Sequence, residues 1–116
     1  MQNSSGGVTE ATAVPVQDLA SYAGGAIVSR TLAKAKGGSF TFFAFDQGQE
    51  LSEHSAPFDA YVQVLDGEAE LIIGGKSVRA RVGELVRMPA NIPHAVKANQ
   101  RFKMLLVMIR DLPEGT

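Results

Sequence analysis

The chain has 116 residues, with 11 Lys and Arg, 12 Asp and Glu, and no Cys, and this length supports one domain around one hydrophobic core. The formal net charge of -1 leaves no surplus of positive charge for phosphates or anionic lipids, so we expect neither nucleic acid nor a membrane as a partner. The absence of Cys excludes a disulfide framework, thiolate metal ligands and a cysteine nucleophile.

The first part of the chain combines Ser, Gly, Thr and Asn with few bulky apolar side chains. Such a segment buries little to offset the entropy cost of being ordered, so residues 1–12 are predicted to form a flexible tail and residues 13–116 a single domain. The tail carries no basic stretch followed by an apolar run, so we expect a cytoplasmic protein. Residues 14–22 fit either an edge strand or one short helical turn.

Eight segments rich in β-branched, aromatic or alternating apolar residues follow, divided by Gly pairs and an Asp-Gly dipeptide that suit tight turns. Turn signals recur about every ten residues without useful helical periodicity, which predicts an all-β sandwich or barrel. The predicted strands are 26–33, 40–45, 60–65, 68–73, 77–82, 84–88, 93–98 and 102–109.

The last predicted strand is apolar on both faces over residues 104–109. Solvent should therefore cover neither face. One face can enter a barrel, and the other then needs a second sheet or a second copy of the chain. A homodimer is the simpler explanation. The Met and Phe side chains are expected to fill the barrel or the dimer seam, with an apolar pocket as the alternative.

Two stretches place the only two histidines of the chain behind a glycine and within a regular spacing. Gly48 is followed by five residues and then His54. Gly83 is followed by five residues and then Pro89, and His94 comes five positions after that proline. Each pattern alone is weak because Gly and Pro are common at turns, but their order and their use of both histidines make the combination more specific.

These stretches resemble the paired motifs of the cupin superfamily. The first cupin motif reads Gly, five residues, His-x-His, three or four residues, Glu, six residues, Gly; here Ala56 stands in the second His place, Ala60 in the Glu place, and Gly67 closes the motif. The second reads Gly, five residues, Pro-x-Gly, two residues, His, three residues, Asn; here Asn91 and Ala98 replace the inner Gly and the Asn. The likeness is to short single-domain bacterial cupins.

The resemblance implies an all-β, cupin-type double-stranded β-helix, a jelly-roll barrel of six to eight strands with His54 and His94 facing each other in its mouth. Cupin metal centres use three His and one Glu, of which this chain keeps two His. Two imidazoles alone bind a divalent ion weakly unless waters or a bound organic acid complete the ligand set.

The alternation of side chains along a strand suggests what else lines the site. If alternation holds through the first motif, Ser52 and Glu50 point inward with His54, with Ser52 in the cavity and Glu50 at its rim. With Ala60 facing inward, no carboxylate of the following strand enters the barrel. Asp59, beside a turn, could still reach the mouth.

Three interpretations of the two histidines follow. In the first, His54 and His94 hold a divalent transition metal (Zn, Ni, Cu or Fe) with open positions for a substrate, as in cupin dioxygenases, isomerases or decarboxylases. In the second, the pair is metal-free and acts as a general base or hydrogen-bonding group for a small-molecule ligand. In the third, both are residues of a non-catalytic sensor or structural module. We expect a small cupin that binds a small organic ligand, with or without a metal held by His54 and His94. A metal-dependent cupin enzyme and a non-catalytic sensor or structural module are the alternatives.

Overall fold

The computed structural model describes residues 2–111, with side chains from residue 6 onward. Among these residues the chain forms ten β-strands and one short 3₁₀-helix. The strands are β1 (Gln2–Ser5), β2 (Ile27–Ala35), β3 (Gly38–Phe45), β4 (Glu50–His54), β5 (Asp59–Asp66), β6 (Glu68–Ile73), β7 (Lys76–Arg81), β8 (Leu85–Met88), β9 (His94–Lys97) and β10 (Phe102–Ile109), and the helix spans Val16–Asp18. No helix among the described residues is long and apolar enough to span a membrane.

The strands form two sheets that face each other. One has six strands in the order β1-β2-β3-β10-β5-β8, and the other has four in the order β4-β9-β6-β7. This arrangement confirms the predicted all-β double-stranded β-helix. The eight predicted strands appear as β2, β3 and β5 to β10, each within two residues of its predicted bounds. The predicted total of six to eight strands is too low, because β1 and β4 add to the eight.

The beginning of the chain differs from its prediction. Residues 2–5, placed in a flexible tail by their composition, form a strand that pairs in parallel with β2, from Gln2 opposite Val28 to Ser5 opposite Thr31. Backbone pairing at a sheet edge needs no apolar side chains, so composition does not reveal it. The mobility of this segment stays a prediction. Residue 1 of the tail and residues 112–116 of the predicted domain lie outside the described residues.

The core lies between the two sheets. Along β5 the alternate residues Ala60, Val62 and Val64 are buried while Gln63 is exposed, as the strand pattern predicts. The rings of Phe45 and Phe102 stack with their centroids 4.5 Å apart. Each fully buried aliphatic or aromatic side chain contributes roughly 1.5–3 kcal/mol to stability.

A second apolar cluster lies on the outer face of the six-stranded sheet. Phe42 and Ala44 are buried there, and Leu105 of β10 packs against them from the neighbouring strand. Residues 16–22, which include the 3₁₀-helix, cover this cluster, so the helical turn and not an edge strand is found in this part of the chain. Phe40 and Ile109 remain exposed beyond this cover. Residues 16–22 therefore bury part of the apolar outer face of β10, for which a second copy of the chain was expected. The homodimer stays a prediction.

Candidate functional site

The barrel contains a cavity of about 290 Å³ between the two sheets. Among the described side chains, the lining is apolar except for the two histidines. Small ligands bind in concave sites of this type, where an apolar wall supplies contact area and a few polar groups fix orientation. The lining residues are Phe43, Leu51, His54, Ala56, Phe58, Ala60, Met88, His94, Val96, Met104, Leu106 and Met108.

All four positions that carry metal ligands in the cupin motifs line this cavity. His54 and His94 are brought together, and Ala56 and Ala60, in the second His place and the Glu place, lie in the same wall. The motif alignment made on spacing therefore agrees with the geometry. The two alanines leave methyl groups where the family pattern has an imidazole and a carboxylate.

His54 reaches the cavity through an irregularity in β4. Leu51 lies opposite Val96 and His54 opposite His94, so three steps along β4 match two steps along β9. One extra residue inverts the alternation of a strand. As a result Leu51 and His54 both line the cavity, and the expectation that Ser52 and Glu50 point inward with His54 is wrong.

The displaced residues lie on the solvent side. Ser52 and Glu50 are both exposed, and neither lines the cavity. Glu50 is paired with Lys97 of β9, whose side chain is also exposed. Leu51 is the lining residue that the sequence missed, because nothing in the residues 50–54 themselves marks the bulge.

The two imidazole rings are in contact. Their centroids are 4.5 Å apart and their planes are inclined by 63°. In each, Nδ1 lies near the backbone carbonyl oxygen two residues earlier: Ser52 for His54, at 3.0 Å, and Ile92 for His94, at 3.3 Å. A carbonyl oxygen only accepts, so each of these hydrogen bonds assigns a proton to Nδ1, and in a neutral ring Nε2 then has a free lone pair.

The two histidines differ in burial. His54 is exposed, whereas His94 is only 9% exposed. Burial lowers the pKa of His94 below its usual value, and the neighbouring His54 lowers it further. The buried imidazole is therefore held in its neutral form near neutral pH, when its Nε2 can accept a hydrogen bond.

The loop that follows His54 and the loop that precedes His94 are hydrogen-bonded to each other. The backbone N–H of Asn91 donates to the carbonyl of Ala56 at 2.8 Å. The N–H of Ala90 donates to Asp59 at 3.0 Å, and Arg87 donates to the same carboxylate at 3.0 Å. These bonds lower the pKa of Asp59, the Ala90 N–H first and Arg87 second. Asp59 thus fastens the loop after β8 and does not line the cavity, so it does not replace the missing glutamate.

Asn91 explains one departure from the motif. It stands in the inner Gly place and has a φ of 65°, a left-handed conformation that Gly adopts freely and Asn tolerates better than most residues. The turn before the histidine is therefore kept although the glycine is not.

The donor set is incomplete for a resident metal. Among residues 2–111, no group of three or more His, Cys, Asp and Glu side chains is placed to hold an ion. Catalytic metal sites in proteins keep three protein ligands and an open position. The two imidazoles supply fewer than this, so the residues present do not fit a metal centre held by the protein alone.

Comparison with known proteins agrees with this fold. The model of the cupin domain family matches residues 41–109. No match was found among curated proteins. A conserved protein of unknown function from Streptococcus pyogenes is 34% identical, with a TM-score of 0.89 and coverage of 93% of this chain and 95% of that one.

Two further solved structures are similar. A cupin 2 conserved barrel domain protein from Leptotrichia buccalis is 40% identical with a TM-score of 0.78; the match covers 80% of this chain and 45% of that protein. A cupin superfamily protein from Desulfitobacterium hafniense is 24% identical with a TM-score of 0.86, over 91% and 97% of the two chains. Because the model of the cupin domain family matches more than half of this chain, the chain belongs to the cupin family.

Proposed function

We propose that this cupin binds a small organic molecule inside the barrel, with an apolar body in the cavity and a hydrogen-bond donor facing His54 and His94. The observation that carries the proposal is that these two imidazoles are the polar groups of an otherwise apolar lining. A cupin barrel hosts many unrelated activities, so the proposal rests on this site and not on the fold.

The imidazole pair selects the polar group of the ligand. Both Nδ1 atoms face carbonyl oxygens, so when both rings are neutral both Nε2 atoms are acceptors. A hydroxyl or an N–H of the ligand would meet two acceptors at one end of the cavity. A ligand of the same shape without a donor would leave the Nε2 of His94, the buried member of the pair, unsatisfied.

The first experiment compares phenol with anisole, which has a similar ring but no donor. Calorimetric titration is expected to show phenol binding about fivefold more tightly, since one net hydrogen bond is worth about 1 kcal/mol. Replacing His54 or His94 by Ala should each abolish this preference, and the double replacement should add little, because the two groups act as one site.

The matched control is Leu51→Ala, which enlarges the cavity without removing an imidazole. This variant should keep the preference for phenol. Equal binding of phenol and anisole by the parent protein, or strictly additive effects of the two histidine replacements, would contradict the proposal.

Metal-dependent catalysis is the second candidate, because the four motif positions still converge on one cavity. Waters or an acid group of the substrate would have to supply the ligands that Ala56 and Ala60 do not. Elemental analysis and native mass spectrometry of protein purified without added ions separate the candidates. Stoichiometric metal would favour the enzyme, and a retained organic molecule without metal would favour the binding protein. Neither, together with additive histidine effects, would leave a sensor or structural module.

A further inference from the structure

A second, basic recess lies beside the cavity, at the hairpin end of β2 and β3. Its volume is about 250 Å³, and Lys34, Ser39 and Arg110 contribute its polar lining. Phe58 and Met108 also line it, and both line the cavity as well, so the two volumes share this wall. The recess differs from the cavity in chemistry: it combines two cations with apolar surface, and no carboxylate of residues 6–111 lines it.

The two cations are available to a ligand. Lys34 is exposed and makes no ion pair with any residue of the described part of the chain. The Nε of Arg110 donates to the carbonyl of Lys36 at 2.7 Å, and its guanidinium carbon lies 4.9 Å from the centroid of the Phe58 ring. These contacts orient the guanidinium while using one of its five N–H donors.

Ser39 provides an independent indication. Its Oγ is buried and has no hydrogen-bond partner among the described residues. A buried hydroxyl without a partner costs stability, and such groups are rare in folded proteins. Ser39 also lines the recess, and an anion bound there would supply the missing acceptor.

We propose that this recess binds the carboxylate of a small organic acid. Lys34 and Arg110 pair with the anion, the Ser39 hydroxyl donates to one of its oxygens, and a short apolar body lies against Phe58 and Met108. Charge-assisted hydrogen bonds of this kind are the stronger ones in proteins. The site goes beyond the function proposed above and does not depend on any ligand in the cavity.

The test compares benzoate with benzamide, its neutral counterpart, by NMR titration at constant ionic strength. The parent protein is expected to bind benzoate at least about tenfold more tightly, because each hydrogen bond to a charged group is worth more than a neutral one. The backbone amide of Ser39 should report the binding. Lys34→Met should remove most of the preference.

Ser39→Ala gives a result that a purely structural role would not. It should weaken benzoate binding and leave the melting temperature unchanged or higher, because the hydroxyl it removes has no hydrogen-bond partner among residues 6–111. A lower melting temperature with unchanged benzoate affinity would show that the hydroxyl serves the fold and would overturn its role in the site.

The matched control is Lys36→Met, which removes a cation of the same hairpin that does not line the recess. It should leave benzoate binding unchanged, since its backbone carbonyl still accepts from Arg110. Equal affinities for benzoate and benzamide would overturn the proposal. Equal losses of benzoate affinity in Lys36→Met and Lys34→Met would also overturn it. Benzoate that perturbs only the cavity residues Val96 and Met104 would also overturn it, while supporting the ligand-binding function of the cavity.

Discussion

The cavity should become a metal site when the two missing ligands are restored. Ala56→His together with Ala60→Glu would place three imidazoles and one carboxylate around the cavity in which His54 and His94 already touch. This is the ligand set of the cupin motif. Because the wild-type side chains at both positions are methyl groups, the substitution tests whether the barrel keeps the geometry of a metal centre while lacking its donors.

The two substitutions are expected to change the stability of the protein in two ways, one without metal and one with metal bound. Ala60 is 4% exposed, so without metal the new carboxylate is buried and the variant should be less stable than the parent, by about 2 kcal/mol or more. A metal that binds only the folded state adds RT ln(1 + [L]/Kd), about 2.7 kcal/mol at a free concentration 100 times the Kd. At about 4 °C per kcal/mol for a chain of this size, the metal should raise the melting temperature by roughly 10 °C.

The assay is the melting temperature with and without Zn²⁺, supported by the visible absorption of the Co²⁺ form. The control is Ala56→His with Ala60→Gln, which keeps the shape of the glutamate without its charge and should bind more weakly. If the glutamate variant does not fold without metal, Ala56→His alone supplies three imidazoles and the same measurement. If the variant folds but neither Zn²⁺ nor Co²⁺ changes its melting temperature, the four positions do not have the geometry of a metal site.

Three further expectations concern stability and assembly. Gly67→Ala should lower stability by at least about 2 kcal/mol in urea unfolding, because the residue has a φ of 69° and a Cβ would overlap the backbone carbonyl just before β10; an unchanged midpoint would contradict this. The hydrogen bond from the Ala90 N–H is the main cause of the lowered pKa of Asp59. The ionised carboxylate therefore stabilises the folded state above pH 4, the ordinary pKa of Asp being about 4, and this stabilisation is lost as the pH falls through the lowered pKa. Asp59→Asn should therefore be less stable than the parent at neutral pH, with a difference in melting temperature that shrinks below pH 4; a constant difference would contradict this. We expect a homodimer at micromolar concentration, because Phe40 and Ile109 are 37% and 52% exposed on the outer face; light scattering at the monomer mass would contradict this.

The fold was largely predictable because its signals are local. The Asp-Gly and Gly-Gly dipeptides mark the end of β5, both ends of β6 and the start of β7, and the alternation along β5 indicates which of its side chains are buried. The strand β1 was not predictable in this way. Its Gln, Asn and Ser residues join the sheet through backbone pairing with β2, which does not depend on the side chain of any residue other than proline.

The residues that line the cavity beside the two histidines were harder to predict than the histidines themselves. The resemblance to the two cupin motifs implied that His54 and His94 face each other, and their rings do lie 4.5 Å apart between centroids. Counting alternate residues back from His54 failed, because the bulge in β4 shifts the register by one and exchanges Ser52 for Leu51 in the cavity wall. A bulge is defined by the pairing of two strands, so the residues of β4 alone do not reveal it.

The same bulge determines the chemistry of the cavity. With regular alternation Ser52 would face inward with His54 and add a hydroxyl to the lining, whereas the observed register puts the apolar Leu51 there and leaves Ser52 in solvent. The carbonyl of Ser52 instead accepts the hydrogen bond from Nδ1 of His54. Because of the bulge in β4, the Ser52 side chain lies outside the cavity, and the Ser52 carbonyl orients the imidazole of His54. In this way the lining becomes apolar up to the two Nε2 atoms, which is the basis for expecting a ligand with one polar end.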